Sequence, residues 1–442
     1  MAARVGGYPQ QLALLNQLNR ANKSFNKHMT AIATGNKVNS PADNPSVYAI
    51  GTKMGIRIGA LDQAAANTQT GSAMLKVADG AMSNTLDILS TMRERALAAA
   101  NSTAKDSDRA SIQKEFNQYI DQITDNSLVE YNGMSLMDGS HGGQSSITTQ
   151  AYTNKTFSAD TAGDTKLTDL AYRHGDSMEI QATDMVTVSF VKDGKTYTNS
   201  FQAGNATLAD IFDSANQAGQ KAGIGDIFDT NNIGSTKEIG TDANGKTLNT
   251  PDGKNAITVK AAQAGKAGEI AGFAISVQTA DGQERKSVNN VFNNFYESIG
   301  AAENRSGNPL TLQVGADANQ SIKVGLGNIS ARALGLQGSD GSCLSVATAE
   351  DAQAALAVID NAISKVLDQS TTVGAVSSRL EYTYKNLNTE SENLTAAQTT
   401  LIGADMAKEI TNLASDNILM QTTQAMLAQS YQNSSWFLNL LK

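Results

Sequence analysis

Three histidines, one cysteine and scattered serines are the residues of this 442-residue chain whose types could support metal or nucleophilic chemistry. A metal site needs His, Cys, Asp or Glu at short, characteristic spacings, and His28, His141 and His174 have no such neighbours in sequence. His28 stands beside Met29 in a helical pattern and reads as a packed or solvent-facing imidazole. Asp138-Gly139-Ser140-His141 reads as a loop rather than a triad, and neither a phosphate-binding glycine loop nor a nucleophile elbow occurs. Cys343 has no partner for an intramolecular disulfide; it follows Gly338-Ser339-Asp340-Gly341-Ser342, a loop in which it reads as a free thiol. The residues therefore predict no catalytic site, no metal and no cofactor.

What recurs in this chain is apolar. Ile359, Val366, Val373, Leu380, Leu387, Leu394 and Leu401 stand at every seventh position, the sequence form of a long coiled-coil seam. Leu18, Phe25 and Ile32 keep the same spacing near the other end, flanked by Leu15 and Met29, as do Leu61, Thr68, Leu75, Met82, Leu89 and Ala96. After Leu401 the row restarts as Met406, Leu413, Met420 and Leu427, five residues out of step, with Gly403-Ala404-Asp405 at the change. Such a phase shift predicts two seams in different domains. Gly55 and Gly59 add a small-residue spacing that suits close packing against a partner helix.

These rows require helices, and the punctuation supplies their limits. A helix is expected over residues 10–33, ending at the Gly35-Asn36 stop signal. Asn39-Ser40-Pro41-Ala42-Asp43-Asn44-Pro45 then forbids regular helix and prepares the start of the next, over residues 46–101, on the order of 80 Å long. Residues 108–124 carry Ile112, Phe116, Tyr119 and Ile123 on one face of a return helix closed by the Tyr131-Asn132-Gly133 turn. Helix resumes near Ala349 and runs to Thr400.

Between residues 138 and 308 the composition shifts to Gly, Thr, Asp and Asn and the period falls to two. Val186, Val188 and Phe190 alternate ahead of the Asp193-Gly194 turn, and a helix-like stretch spans residues 208–218. Phe273, Ile275 and Val277 precede Asp281-Gly282 and helix-like residues 288–299, so two hairpin-plus-helix units are expected as a diverged repeat. Leu310, Leu312, Val314, a turn through Asn319, and Ile322 and Val324 predict one more hairpin.

Size and charge narrow the function. The length allows about two to four domains. Aromatic residues make up 5%, so burial relies on small side chains on helices. A net charge of −9 argues against affinity for nucleic acid or anionic lipid. No stretch approaches the roughly 18 apolar residues of a membrane span, and residues 1–9 lack the form of a secretory signal peptide.

The two ends resemble bacterial flagellin, over about 135 residues at the front and 130 at the back. The resemblance is carried by Thr34-Gly35-Asn36-Lys37-Val38-Asn39-Ser40-Pro41-Ala42-Asp43-Asn44, by Arg93-Glu94 through Ala100-Asn101-Ser102-Thr103, and by Asp108, Ser111-Ile112-Gln113 and Glu115. Leu310 to Ala316, Ala333-Leu334-Gly335-Leu336, Leu427-Ala428-Gln429 and the ending Leu438-Asn439-Leu440-Leu441-Lys442 extend it. Residues 1–9 depart from the family pattern, Ser435-Trp436-Phe437 is more aromatic than usual, and the inserted segment precedes the inner hairpin instead of following it.

The resemblance implies a mainly α fold: long antiparallel coiled-coil helices from both ends form core and inner domains around an inserted α+β outer domain. It divides the chain into residues 1–45 and 403–442 for the filament core, 46–137 and 309–402 for the inner tube, and 138–308 for the solvent-facing insertion. It further implies a structural subunit that polymerises into the flagellar filament outside the cell, exported without a cleavable signal peptide. Implied partners are further copies of the chain, an export chaperone at the C-terminal segment, the filament cap and the hook-associated junction proteins. The terminal rows, with few partners inside one chain, would be ordered by burial between subunits. Residues assigned to polymerisation are Leu15, Leu18, Phe25, Met29, Ile32, Met406, Ile410, Leu413, Met420, Leu427, Leu438 and Leu441. Residues assigned to the inner domain's own core are Leu75, Met82, Leu89, Ile112, Phe116, Ile123, Ile359, Val366, Leu380, Leu387, Leu394 and Leu401.

By the same resemblance, Arg93, Glu94 and Glu115 fall on the surface by which some flagellins engage the vertebrate Toll-like receptor for flagellin. Thr91 and Arg95 depart there from a hydrogen-bonding and an apolar residue, which predicts weak activation. The hook-filament junction protein of the same superfamily is the alternative reading. A secreted enzyme or adhesin with helical anchors would need chemistry in residues 138–308, where none is legible.

Overall fold

The computed structural model describes residues 8–250 and 253–440, and side chains over 11–231, 233–234, 236–250 and 253–432. Helix α1 (Tyr8–Thr34) stops at Gly35, whose φ of 73° is a left-handed conformation that glycine adopts without a Cβ penalty. In the following loop the Asp43 carboxylate accepts the amides of Asn39 and Ser40 and the Ser40 hydroxyl, bonds that hold its pKa below the ordinary carboxylate value. Asn44 Oδ1 accepts from Val47 N at 3.2 Å and Pro45 takes the first position of α2 (Pro45–Ala100), where no amide donor is required.

The last turn of α2 is closed by Arg109 of α3 (Asp106–Ser127), which is buried and donates to the carbonyls of Ala99 at 2.9 Å and Asn101 at 3.1 Å. A short hairpin follows, β1 (Glu130–Tyr131) and β2 (Met134–Ser135), turning through Asn132 and Gly133, both at positive φ.

The middle of the chain contains β3 (Ala151–Asn154), β4 (Met185–Lys192), β5 (Lys195–Gln202), α4 (Leu208–Lys221), β6 (Phe228–Thr236), β7 (Glu238–Thr241), β8 (Thr247–Asn249), β9 (Ala256–Ala261), β10 (Gly272–Gln278), α5 (Lys286–Phe292) and β11 (Tyr296–Ile299). Two antiparallel sheets, β10-β4-β5 and β11-β3-β9-β6, enclose one core that includes Tyr152, Phe157, Phe190, Phe212, Phe228, Phe273 and Phe292. Every buried member of that core lies between Tyr152 and Phe292, so the middle segment is an α+β body with its own interior.

The first expected hairpin and helix form as β4, β5 and α4, with Asp193 and Gly194 at φ 51° and 72° in the turn. The expected second hairpin does not form. After Asp281-Gly282 only the bridge between Gln278 and Glu284 follows, and β10 pairs with β4 from Gly272↔Val191 to Gln278↔Met185. The other edge of β10 is occupied by side chains: Asn293 accepts from Ile275 N and donates to its carbonyl, both at 2.9 Å, and Asn289 accepts from Val277 N at 2.7 Å. Asn289 in the middle of α5 and Asn293 at its C-cap thus take the place of a strand, and the helix stops at Phe292 rather than Ile299. The two units are therefore not a repeat of one design.

Beyond the insertion, β12 (Leu310–Gln313) and β13 (Ser321–Val324) form the last hairpin. Helix α6 (Ala349–Ile402) begins at Thr348, whose hydroxyl accepts from Asp351 N. Helix α7 (Met406–Leu440) begins at Asp405, whose carboxylate accepts from Ala407 N and Lys408 N. Among the described residues no helix is long and apolar enough to cross a membrane.

The chain divides into two compact units. One takes the described residues up to Gln69, Gln313–Gln320, and those from Tyr382 onward; the other takes Thr70–Leu312 and Ser321–Glu381. In the first, Leu61, Ala64, Ala65 and Leu387 form a small core, and Arg57 pairs with Glu390 at 2.8 Å. Added Cβ atoms at Gly51 and Gly55 would lie 2.7 Å from Ile402 and 3.0 Å from Gln398, whereas Gly59 faces open space. Close helix approach thus uses Gly51 and Gly55, one turn earlier than the expected pair.

In the second unit the helices carry a much deeper interior. Leu75, Ala78, Met82, Thr85, Leu89, Met92, Ala96 and Ala99 of α2, Phe116, Ile120 and Ile123 of α3, and Ile359, Ala362 and Val366 of α6 are all fully buried. Asn126 of α3 donates to Thr85 of α2, and Arg93 of α2 binds Asp360 of α6 at 2.6 Å.

Candidate functional site

Within the first unit, α1 and α7 pack together, and their polar contacts show the direction. Lys37 N donates to Ile402 O at 2.7 Å, Ala404 N donates to Gly35 O at 2.9 Å, and His28 lies between Glu409 and Asp416. Descending numbers on α1 meet ascending numbers on α7, so the helices are antiparallel. The two connections, Gly35 to Lys37 and Ile402 to Ala404, are joined backbone to backbone, with Asn36 and Gly403 as a bridge. A Cβ on Gly403 would lie 2.3 Å from Thr399 O, so the tight junction at the phase shift needs glycine.

The less exposed residues of this pair alternate at three and four positions. On α1 they include Leu14, Leu18, Ala21, Phe25, His28 and Ile32; on α7 they include Glu409, Leu413, Asp416, Met420, Thr423 and Leu427. Only Ala21, Ala31 and Thr423 are buried among the residues of these two helices whose side chains are described. A second apolar set points away: Leu12, Leu15 and Met29 on α1, and Met406, Ile410, Ile418, Leu419 and Met426 on α7. Ile410 is 54% exposed and Met426 is 60% exposed, unusual for large apolar side chains.

The residues assigned to polymerisation therefore lie on two faces. Leu18, Phe25, Ile32, Leu413, Met420 and Leu427 are half-buried on the rows that include the His28 contact, while Leu15, Met29, Met406 and Ile410 are exposed. Leu438 lies in α7, with its side chain outside the described set, and Leu441 lies outside the described residues. Leu12, Ile418, Leu419 and Met426 are missing from the heptad row because they sit one face round from it.

Of the residues assigned to the inner core, Leu75, Met82, Leu89, Phe116, Ile123, Ile359, Val366 and Leu380 are fully buried. Ile112 is half-buried, Leu387 is 7% exposed, and Leu394 and Leu401 are half-buried. Sequence reading missed Ile120, Met92 and the alanines that complete the three-four alternation; stepping three or four from Leu89 finds Met92, and from Phe116 or Ile123 finds Ile120.

On the receptor-like surface, Arg95 pairs with Glu115 at 3.1 Å and Arg93 with Asp360, while Glu94 is exposed and Thr91 donates to the Asp87 carbonyl. His174 is an exposed partner of Asp176 at 3.2 Å. Among the described residues no His, Cys, Asp and Glu cluster is arranged to hold a metal ion.

Chain ends joined as antiparallel helices, with an apolar face left open beside them, define the class: a subunit built for association. The model of the bacterial flagellin N-terminal helical region matches residues 8–142, and that of the bacterial flagellin C-terminal helical region matches residues 356–441. The chain belongs to the bacterial flagellin family, a family of structural proteins rather than enzymes. Flagellin of Clostridium tyrobutyricum is 28% identical, over 95% of this chain and 97% of that protein. B-type flagellin of Pseudomonas aeruginosa is 26% identical over the full length of both. A solved flagellar hook associated protein-3 from Legionella pneumophila is 14% identical over 79% of this chain and 98% of its own, with a TM-score of 0.33.

Proposed function

We propose that this chain is the structural subunit of a bacterial flagellar filament, polymerising head to tail through the outward apolar face of α1 and α7. The observation that carries the reading is that face: Leu15, Met29, Met406, Ile410, Ile418 and Met426 remain solvent-exposed on helices with almost no buried interior. Burying each large apolar side chain contributes roughly 1.5–3 kcal/mol, so covering the row by neighbouring copies offsets the ordering of the helices. The full-length relatives that are flagellins favour a filament over a hook-filament junction.

In this reading residues 1–45 and 403–442 form the filament core, 46–137 and 309–402 an inner tube in which the long helices coil about each other, and 138–308 the solvent-facing insertion. Export without a cleaved signal, a chaperone on the C-terminal segment, and the cap and hook-associated proteins as neighbours complete the assignment. The receptor for flagellin is engaged weakly, because Thr91 stands where a charge-assisted hydrogen-bond donor is expected and Arg95, which pairs with Glu115, stands where an apolar contact is expected. A reporter-cell titration equal to that of a strongly activating flagellin would refute this last point.

Deletion of residues 406–442 tests the main assignment. The truncated chain stays soluble and monomeric with the second unit folded; filaments of it in electron micrographs would defeat the reading.

A further inference from the structure

The rows by which α1 and α7 face each other are apolar over most of their length and charged at one level. His28 Nδ1 meets Glu409 Oε2 in a short contact, and His28 Nε2 lies 3.6 Å from Asp416 Oδ2. The three side chains are 21%, 15% and 14% exposed, and Asp416 Oδ2 has no hydrogen-bond partner, since 3.6 Å exceeds bonding range. Glu409 and Asp416 are seven residues apart, two turns on one face of α7, and the imidazole sits between them.

Their surroundings define the consequence. On either side of His28 the α1 row presents Phe25 and Ile32, while the α7 row presents Leu413 between the two carboxylates and Met420 beyond them, apolar residues that would still meet apolar residues after a shift of seven. A shift of α1 by one heptad would keep His28 beside only one of the two carboxylates and leave the other facing apolar groups. A slipped pair therefore leaves one partly buried carboxylate without its imidazole partner, a cost that opposes the slip. One polar level in an apolar seam is a known means of fixing register.

We infer that His28, Glu409 and Asp416 form the register lock of the terminal helix pair, the level that selects one antiparallel alignment of α1 on α7 from those the apolar rows allow. This rests on the filament reading, because register matters where the outward face must repeat identically from copy to copy. His28 is a positioning residue: it acts by aligning Leu15 and Met29 with Met406 and Ile410.

Three full-length variants test it, with polymerisation followed by sedimentation and filament order by electron cryomicroscopy. His28→Glu gathers three carboxylates and lowers the assembled fraction at least tenfold at concentrations where the native chain polymerises. The set His28→Glu, Glu409→Lys and Asp416→Asn restores attraction and restores filaments. The apolar set His28→Leu, Glu409→Leu and Asp416→Leu still polymerises, but its filament core shows more than one helix register. Native-level assembly of His28→Glu, failure of the reversed set to recover, or a single native register in the apolar set would each overturn the lock. A native chain that forms no filament would defeat the filament reading instead.

Discussion

The second unit's helices and the α1/α7 pair are written with the same seven-residue apolar spacing, yet they end in different states. Leu75, Met82, Leu89, Ile359, Val366 and Leu380 are fully buried, whereas Leu18, Phe25, Leu413 and Met420 are half-buried and Ile410 and Met426 are open to solvent. The second unit brings three helices and the chain before α6 together: Gln113 of α3 donates to Leu344 O and accepts from Val346 N. Two helices alone cover one stripe each and leave the remainder exposed. The spacing thus specifies a helix with an apolar row, while the number of neighbours within the chain decides whether that row is an interior or an interface.

The sharpest way to break this contrast is to truncate one residue in each region. Phe116→Ala in the second unit removes a fully buried ring and costs about 3–5 kcal/mol, read as a large fall in the monomer's thermal midpoint. Ile410→Ser in α7 leaves the monomer's stability within about 0.5 kcal/mol of native while raising the concentration needed for polymerisation about tenfold. Equal losses of monomer stability in the two variants would show that the terminal row is already an interior.

A smaller effect is expected where α6 meets the α+β body through charge. Lys365 lies 2.9 Å from Glu269 and 3.6 Å from Glu297, and Gln150 donates to Glu297 at 2.7 Å while bonding the Ile270 backbone. Lys365→Met keeps the stem and leaves two carboxylates without their cation, at a cost of about 3 kcal/mol. Calorimetry of the monomer checks it, and an unchanged midpoint would mean that solvent reaches the carboxylates.

Much of this was legible in sequence, and the exceptions share a cause. Helix limits followed from local chemistry: the Gly35 stop, the Asn44-Pro45 start, and the Gly403-Ala404-Asp405 break that separates α6 from α7. What failed depended on partners distant along the chain. Alternation at Phe273, Ile275 and Val277 correctly marked a strand but could not say that its partner was β4. Periodicity on α1 and α7 marks apolar rows without fixing which face turns inward, so it does not separate Leu18 from Leu15, which differ in burial. His28 looked isolated because Glu409, which it touches, is 381 residues away.

The smallest expected effect is a pH dependence at Glu297. Burial is the leading cause that raises its carboxyl pKa above the ordinary glutamate value, against the lowering influence of Lys365 and of the Gln150 bond. The folded chain then holds that proton more tightly than the unfolded chain does. Its contribution is fully present below the unfolded value and is lost as the pH rises through the raised, folded value. Compared with Glu297→Gln, which has no proton to bind, the native chain should gain midpoint temperature as the pH falls through that window. The terminal pair should contribute nothing to this difference, because neither α1 nor α7 supplies a group to the Lys365 cluster. A midpoint difference between the two proteins that stays flat across the window would mean that Lys365 holds Glu297 ionised throughout. The charge level joining α6 to the α+β body would then be a permanently paired one rather than a proton-binding one.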